Sequence, residues 1–283
     1  GFLAAMAQVQ LPWQRFTSVL NMDAKSIDLV DLGAAPMPTE NKGRATVQDF
    51  IEKKMVVTPK PWDITVGLSH NAMMDDQTGT LETKVRSAGE NFQRHINNIA
   101  FDALNVGTAT TTYGACYDGL SFFNDAHIDA GAAYQTGQDN NYALAFSFDN
   151  FKTVRAAGRA FLDDQGEPLD LVHNLIVAHP DYEYEIENLI GNPERYDQTD
   201  RARNVFSGKM QAVYSTKVTS GRWFLLQADQ PAKPLVLAMR EQPNLQSAWF
   251  DPNGPDGGMY YFKFYARYNV FYGDWRLAVR GGN

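Results

Sequence analysis

The residues best suited to metal chemistry are Asp125, His127 and Asp129, which stand at alternate positions. In an extended segment, alternate side chains point to one face, so two carboxylates and an imidazole would converge there. Such a ligand set can bind a divalent cation and would support a metal-dependent hydrolase. The residue types of this stretch are equally typical of a turn, because Asn and Asp side chains hydrogen-bond to their own backbone. We predict a turn and keep the hydrolase as an alternative.

Five other residues with reactive side chains are better explained by packing or helix capping than by catalysis. His173 and His179 flank an apolar segment that is typical of a buried strand. Cys116 is the single cysteine and has no basic neighbour in the sequence that would activate its thiol. Asp75 and Asp76 precede a long helical pattern, where negative charge is favourable. The motifs GxSxG, HExxH, GxxxxGK and GxGxxG are absent. We therefore predict that the protein is not an enzyme and needs no metal or cofactor.

The composition is that of a globular protein with an acidic balance. The 283 residues include 25 Lys or Arg and 33 Asp or Glu, which gives a net charge of −8. The sequence contains no dense Lys/Arg cluster of the kind that binds phosphates directly. If the protein encloses DNA, we therefore expect it to act as a container that does not condense the DNA. No apolar run approaches the roughly 18–20 residues of a membrane span. A single cysteine excludes a disulfide framework, which fits assembly in a reducing cytoplasm.

The clearest predicted element is a long helix over residues 80–106. Its apolar positions recur at steps of three and four: Leu81, Val85, Ala88, Phe92, Ile96, Ile99 and Ala103. Thr80 is a suitable N-cap and Gly107 a suitable terminator. About 26 residues at 1.5 Å each would give a rod of roughly 39 Å, which is long enough to act as a spine.

The residues before this helix predict an arm and a hairpin. Residues 1–28 contain Trp13 but show little periodicity, which indicates a mostly irregular arm with a short helix. Residues 29–70 contain strand-like stretches, a segment rich in Gly and Pro, and a wholly polar tip. This pattern predicts a long hairpin that projects from the body.

The residues after the helix predict a long loop and then a mixed region. Residues 108–146 are rich in Gly, Thr, Asp and Asn, and a loop of this length is unusual in a compact domain. We expect it to be functional or to be ordered by another subunit. The next predicted elements are a helix at 148–163 capped by Ser147, a strand at 171–178, and a helix from Pro180 to Gly191.

The last third of the chain predicts β structure. Three apolar stretches indicate strands: Met210–Tyr214, Trp223–Gln227 and Pro234–Met239. Ser220 and Gly221 are expected to form the turn between the first two. A final aromatic pair of strands is expected on either side of Gly273–Asp274, at Met259–Tyr268 and Trp275–Val279. The chain therefore predicts an α+β fold.

The order of these elements, together with six short strings, resembles a known family. The strings are Met74–Gly79, Tyr117–Phe123, Gln165–Leu169, Leu175–Pro180, Trp223–Leu226 and Gly273–Arg276. They resemble the Mu-like major head subunit family of tailed bacteriophages, and the resemblance covers about Trp13 to Val279. It implies the Hong Kong ninety-seven phage-type major capsid fold, which encapsulins also use.

The resemblance implies an N-terminal arm, an extended hairpin loop, a peripheral domain with the spine helix, and an axial domain. The implied ranges are 1–28 for the arm, 29–70 for the loop, 71–150 for the peripheral domain, 151–250 for the axial domain, and 251–283 for C-terminal strands that return to the peripheral domain. Contacts between subunits are predicted at seven residues: Trp13, Glu40, Asn41, Lys42, Arg44, Arg195 and Arg201.

The function that the resemblance implies is assembly. Copies of the chain would form hexamers and pentamers of an icosahedral shell around double-stranded DNA, without reading its sequence. The implied partners are a scaffolding protein, a maturation protease, a portal protein and a decoration protein, and no membrane is involved. Assembly would occur in the host bacterial cytoplasm and the product would be the virion capsid. The alternatives are an encapsulin-like compartment, the metal-dependent hydrolase, and a carbohydrate- or receptor-binding module suggested by the Trp and Tyr residues.

Overall fold

The structure is a computed structural model that describes six ranges of the chain: 11–31, 53–76, 80–128, 136–194, 203–255 and 258–282. Within these ranges the chain forms a four-stranded sheet, a five-stranded sheet, a two-stranded sheet and four α-helices. This mixture confirms the predicted α+β class.

The strands in chain order are β1 (Thr17–Asn21), β2 (Ile27–Asp31), β3 (Lys53–Val57), β4 (Lys60–Ser69), β5 (Asn141–Tyr142), β6 (Leu175–Ala178), β7 (Gln211–Tyr214), β8 (Trp223–Leu226), β9 (Leu235–Asp251), β10 (Met259–Tyr272) and β11 (Ala278–Gly281). The helices are α1 (His70–Asp75), α2 (Thr80–Asn105), α3 (Phe148–Arg159) and α4 (Glu183–Gly191). Short 3₁₀ turns occupy Pro12–Arg15, Pro180–Tyr182 and Trp275–Leu277.

The predicted hairpin is confirmed at its base. β2 pairs antiparallel with β3, so that Ile27 lies opposite Val57 and Asp31 opposite Lys53. The base is anchored by a small apolar cluster formed by Met22, Val57, Ala238 and Phe271. The polar tip of the hairpin lies outside the described residues.

The spine helix packs on the four-stranded sheet, whose order is β1-β9-β10-β4. It runs from Thr80 to Asn105, which confirms the predicted 80–106 within one residue. Its buried side chains repeat the three-and-four spacing: Ala88, Phe92, Ile96, Ala100, Ala103 and Leu104. The hydroxyl of Tyr272 donates a hydrogen bond to the carbonyl of Ala103 at 3.0 Å, which joins the helix to β10.

The five-stranded sheet has the order β5-β11-β8-β6-β7. β6, β8 and β11 are buried along their whole length, which explains the continuous apolar character of β6 and β8. Helix α3 begins where predicted, because the hydroxyl of Ser147 accepts the N–H of Asn150 at 3.2 Å. It ends at Arg159, before the predicted residue 163, because a turn closed by a bridge between Leu162 and Pro168 follows.

Two pairs of consecutive strands that are joined by predicted turns do not pair with each other. β7 and β8 do not pair across Ser220–Gly221, because β6 lies between them, parallel to β7 and antiparallel to β8. The segment after Gly273–Asp274 does not pair with β10 either. It crosses to the five-stranded sheet, where β11 pairs with β8. In both places a local turn signal is real, but the neighbouring strand is distant in sequence.

The strand pairings also divide the chain differently from the implied domain ranges. β9 begins at Leu235, inside the range implied as axial, yet it pairs with β10 in the four-stranded sheet. β11 falls in the range implied to return to the peripheral domain, yet it lies in the five-stranded sheet. Sheet membership does not by itself define domains, so the domain ranges stay predictions.

Candidate functional site

The candidate metal ligands do not form a metal site in the described part of the chain. His127 is buried, its backbone pairs with Gln138, and its Nδ1 lies 2.5 Å from Oδ2 of Asp118. Its ring stacks on Trp275 with centroids 4.2 Å apart. Asp125 is exposed, Asp129 lies outside the described residues, and no group of three ligands occurs within them. The imidazole is therefore used in an internal contact, and the hydrolase alternative gains no support.

The internal contact belongs to a cluster that we call the loop lock, formed by Tyr117, Asp118, His127, Trp275 and Arg276. Arg276 is 3% exposed, and its guanidinium carbon lies 4.5 Å from the centroid of the Trp275 ring. Its Nε donates to the carbonyl of Leu162 at 3.0 Å, and its Nη1 donates to the hydroxyl of Tyr117. A buried charge is tolerated only when it is paired in this way. The loop lock joins the long loop to the segment before β11.

Asn140 extends the same connection. Its side chain is fully buried, and its amide nitrogen lies 2.8 Å from the carbonyl of Phe122 and 3.2 Å from those of Trp275 and Ala278. Its amide oxygen accepts the N–H of Asn124 at 2.8 Å. The described parts of the loop 108–146 are therefore hydrogen-bonded within the same chain, and contact of this loop with another subunit stays a prediction.

The two other candidate histidines, His173 and His179, have structural roles. His173 is fully buried, and its Nε2 donates to the carbonyl of Arg276 at 3.0 Å. Burial lowers the pKa of His173 to about 4, so the ring is neutral at physiological pH. His179 lies 2.8 Å from Asp181, whose carboxylate also accepts the hydroxyl of Ser220 at 2.5 Å. The carboxylate stands between hydroxyl and imidazole, so His179 cannot take the Ser220 proton as a catalytic base would.

Cys116 is unsuited to nucleophilic chemistry. The side chain is buried, and burial raises the pKa of its thiol, with a further contribution from Asp118 and Asp274. The thiol is therefore protonated and shielded at neutral pH. This agrees with the prediction made from its sequence surroundings.

We expect Cys116 in the native protein to react with a thiol reagent at least about tenfold more slowly than in the unfolded chain, because both access and thiolate formation are restricted. Absorbance after addition of a disulfide reagent, with and without denaturant, measures the two rates. The variant Gln211→Cys is the matched control, since Gln211 is exposed and should give one fast-reacting thiol. Equal rates for Cys116 in both states would contradict its placement in the core.

Several exposed apolar side chains lie at one end of the four-stranded sheet and in the helix α1 that follows β4. We call this surface the sheet tip, and it comprises Met73, Met74, Trp249, Phe250 and Tyr260. Trp249 is 44% exposed and Phe250 is 42% exposed, although both are large side chains. They lie on opposite faces of β9, because successive strand residues alternate. Exposed aromatic residues on both faces indicate a surface that is covered in the functional state.

Aromatic contacts hold the sheet tip in a defined shape. The ring of Trp249 stacks on Tyr261 at 5.1 Å, and the ring of Phe250 lies 4.7 Å from Tyr260. The ring of His70, the first residue of α1, lies 5.7 Å from that of Phe250. The backbone N–H of His70 donates to the carbonyl of Gly258 at 2.9 Å, which attaches α1 to the end of β10. These contacts give the sheet tip a defined geometry within the single chain.

The predicted contact residues are mostly outside the described part of the chain. Glu40, Asn41, Lys42, Arg44, Arg195 and Arg201 all lie in the ranges that the structure does not describe. Trp13 is described, but only 5% of it is exposed, and it packs in the main core. Little of its indole is accessible to a neighbouring subunit, so the structure supports a packing role within the chain more than a contact role between subunits. The contact roles of all seven residues stay predictions.

Sequence reasoning missed both the loop lock and the sheet tip. No single residue type marks them: Asp118 and Asn140 read as turn residues, and Trp249 and Phe250 stand in a stretch without clear alternation. The available signal was the presence of the strings Tyr117–Phe123 and Gly273–Arg276, which the structure brings together.

No helix among the described residues combines the length and apolar character that crossing a membrane requires.

Comparison with known proteins shows where this fold recurs. The capsid of bacteriophage JBD30 decorated with minor capsid protein trimers is 17% identical, with 75% of this chain and 92% of that chain covered and a TM-score of 0.59. The JBD30 procapsid is 19% identical, with 100% and 71% covered and a TM-score of 0.58. The capsid of the empty GTA particle is 12% identical, with 97% and 90% covered and a TM-score of 0.58. Among curated proteins, nothing matches.

These similarities define the fold as that of tailed-phage capsid subunits, the Hong Kong ninety-seven type. The family model described as Mu-like prophage major head subunit gpT matches residues 1–146, which is more than half of the chain. The chain belongs to this family. It is a phage major capsid subunit that assembles with itself into a shell, and its location is the capsid of the virion. The resemblance drawn from the six strings is confirmed, and neither the encapsulin-like compartment nor the binding module is favoured.

Proposed function

We propose that the chain forms the hexamers and pentamers of an icosahedral shell around double-stranded DNA and catalyses no reaction. The observation that carries this proposal is the family match over residues 1–146, which include the arm, the hairpin and the spine helix. Assembly takes place in the host bacterial cytoplasm, with a scaffolding protein, a maturation protease and a portal protein as partners. The net charge of −8 supports a container that does not bind phosphates through a basic stripe.

The physical basis of this function is many weak contacts that act together. In a closed lattice, one subunit touches several others, so each contact can be weak while the assembly is stable. The hairpin suits this purpose, because its described base, in which β2 pairs with β3, packs on a small apolar cluster that includes Ala238 and Phe271. A two-stranded hairpin is marginally stable alone, which favours its docking on a neighbouring subunit.

The sheet tip supports a second kind of contact. It exposes Trp249 on one face and Phe250 on the other, so one partner surface cannot cover both. In our proposal each tip meets one neighbour with one face and another neighbour with the other face. Head-to-tail contacts form rings when the rotation between successive subunits closes, which is the arrangement that a shell with rotational symmetry needs.

A decoration protein is a further proposed partner. The JBD30 capsid, which shares this fold, is decorated with minor capsid protein trimers. A protein that binds outside the shell needs a surface that exists only after assembly. A junction of several subunits provides such a surface.

The direct test is expression of the chain with its scaffolding protein. Negative-stain microscopy and sedimentation velocity should show closed shells and free capsomers. A compact monomer at every concentration, with and without helper proteins, would contradict the proposal.

Deletion of residues 39–50 should leave a soluble, folded subunit that forms no stable shells. The described base of the hairpin is retained, whereas the part that reaches a neighbour is removed. Circular dichroism reports folding and microscopy reports shells. A variant in which the same residues are replaced by a Gly/Ser linker of equal length controls for chain connectivity. Normal shells from the deletion variant would contradict the role of the hairpin.

A further inference from the structure

The strand β7 lies at one edge of the five-stranded sheet and pairs only with β6 in the described part of the chain. The N–H of Gln211 donates to the carbonyl of Asn174 at 2.9 Å, and the N–H of Ser215 donates to that of Ala178 at 3.1 Å. Backbone groups alternate sides along a strand, so those of Ala212 and Tyr214 point away from β6. No hydrogen bond joins these outward groups to a described residue outside the sheet.

A groove of about 450 Å³ runs along this edge. One wall is Ala212, Val213 and Tyr214 of β7, and the other is the arm at residues 11–15. Leu11 and Pro12 make the arm wall partly apolar, while Gln14 and Arg15 provide a polar rim. An added strand would lie about 4.8 Å from β7, in the space that the groove leaves open.

The sequence of β7 lacks the residue types that protect exposed edges, and its shortness, at four residues, is its one protective feature. Such edges are usually blocked by Lys, Pro or a bulge. β4, an edge strand of the other sheet, begins with Lys60 and Pro61 and carries Asp63. β7 reads Gln-Ala-Val-Tyr, without charge or proline. An edge that lacks these residue types and lies beside an open groove is suited to accept another strand.

We propose that β7 accepts an extended segment from a second copy of the chain, which adds a sixth strand to the sheet. This inference rests on the proposed function. A second copy is the favoured occupant because the chain belongs to a family of self-assembling shell subunits and because the opposite wall of the groove is the arm. Pairing between backbones depends little on the side chains of the partner strand, and it tolerates changes in the angle between neighbouring subunits. One edge can therefore serve subunits in both pentamers and hexamers.

The outward direction of Ala212 gives a selective test. Ala212→Pro removes only the N–H that faces the groove and leaves the Gln211 and Ser215 bonds to the β6 side intact. Ala212→Val keeps the N–H and suits a strand, so it is the matched control. The free subunits of both variants should melt within about 2 °C of each other, since the native ladder is unchanged.

Under assembly conditions, Ala212→Pro should lower the shell yield at least about tenfold, while Ala212→Val matches the unmodified chain. Shells of normal yield and stability from a folded Ala212→Pro subunit would overturn the inference and leave the proposed function intact. Failure of the unmodified chain to assemble would instead count against the proposed function.

The occupant is identified by cross-linking within assembled shells. Gln211→Cys places a photoreactive maleimide at the end of β7, and the buried Cys116 does not compete for the label. Shells made from a mixture of ¹⁵N-labelled and unlabelled subunits should give cross-linked peptides that combine both isotopes. Products that join segments of one isotope only, or that contain the scaffolding or decoration protein instead, would overturn the assignment to a second copy.

Discussion

Replacement of Trp249 and Phe250 by alanine should give a folded subunit that no longer closes into shells. Both side chains are more than 40% exposed and lie outside the main core, so their removal loosens the local stacking on Tyr260 and Tyr261 but leaves the core of the free subunit intact. In an interface, truncation of a buried aromatic residue typically costs about 2 kcal/mol or more. That loss weakens each contact about thirtyfold, and it is repeated at every contact of the lattice. Sedimentation velocity over a concentration series measures the effect as a higher threshold for assembly.

The control for this prediction is another exposed apolar residue. Val205 is 53% exposed and lies outside the sheet tip, so Val205→Ser should assemble at the concentration that the unmodified chain requires. Shells of normal stability from the Trp249→Ala/Phe250→Ala variant would remove the sheet tip from the contacts between subunits. Normal shells that fail only to bind a decoration protein would assign the tip to that partner instead.

Elements with one buried face were predictable from sequence. The spine helix alternates buried and solvated positions, so its period marks both its type and its length. The start of α3 was predictable because a Ser side chain at its N-terminus satisfies a free backbone N–H. The hairpin base was predictable from its strand-like stretches and intervening Gly and Pro. In each case the determining interaction is local.

Strand neighbours were not predictable, because they depend on distant residues. Ser220–Gly221 is a turn, yet β6, more than thirty residues earlier in the chain, inserts between β7 and β8. β9 was predicted to end at Met239 and continues to Asp251, because pairing with β10 extends a stretch that has no alternation of its own. The β propensity of the residues therefore identified most strands. Pairing with distant strands determined the order of the strands in each sheet and the residues at which the strands end.

The loop lock shows the same limit at the level of single residues. Tyr117 and Arg276 are 159 positions apart and meet through one hydrogen bond. Their residue types allow that contact but do not reveal it. The resemblance did carry part of this information, because Tyr117–Phe123 and Gly273–Arg276 were two of its six strings. In physical terms, the residues of these two strings hold the long loop against the segment that joins the two sheets.

Replacement of Arg276 by methionine should destabilise the subunit by about 3 kcal/mol and lower its Tm by roughly 6–10 °C. The substitution keeps much of the apolar contact with Trp275 but removes the donors to Leu162, Tyr117 and Asp274. The loss of hydrogen bonds from one buried charged group to three acceptors accounts for the size of the effect. Differential scanning calorimetry of the free subunit measures the change. Hydrogen exchange should rise chiefly in residues 115–128, since these are held by the loop lock.

Two further variants separate the charge of Arg276 from its geometry. Arg276→Lys keeps the charge but cannot donate to all three acceptors at once, so it should fall between the unmodified chain and Arg276→Met. Arg159→Met is the surface control, because Arg159 is exposed, and it should change Tm by no more than about 2 °C. If Arg276→Met melts like the control and its loop exchanges no faster, the loop is held by Asn140 and the aromatic packing. The guanidinium would then have no role in stabilising the fold.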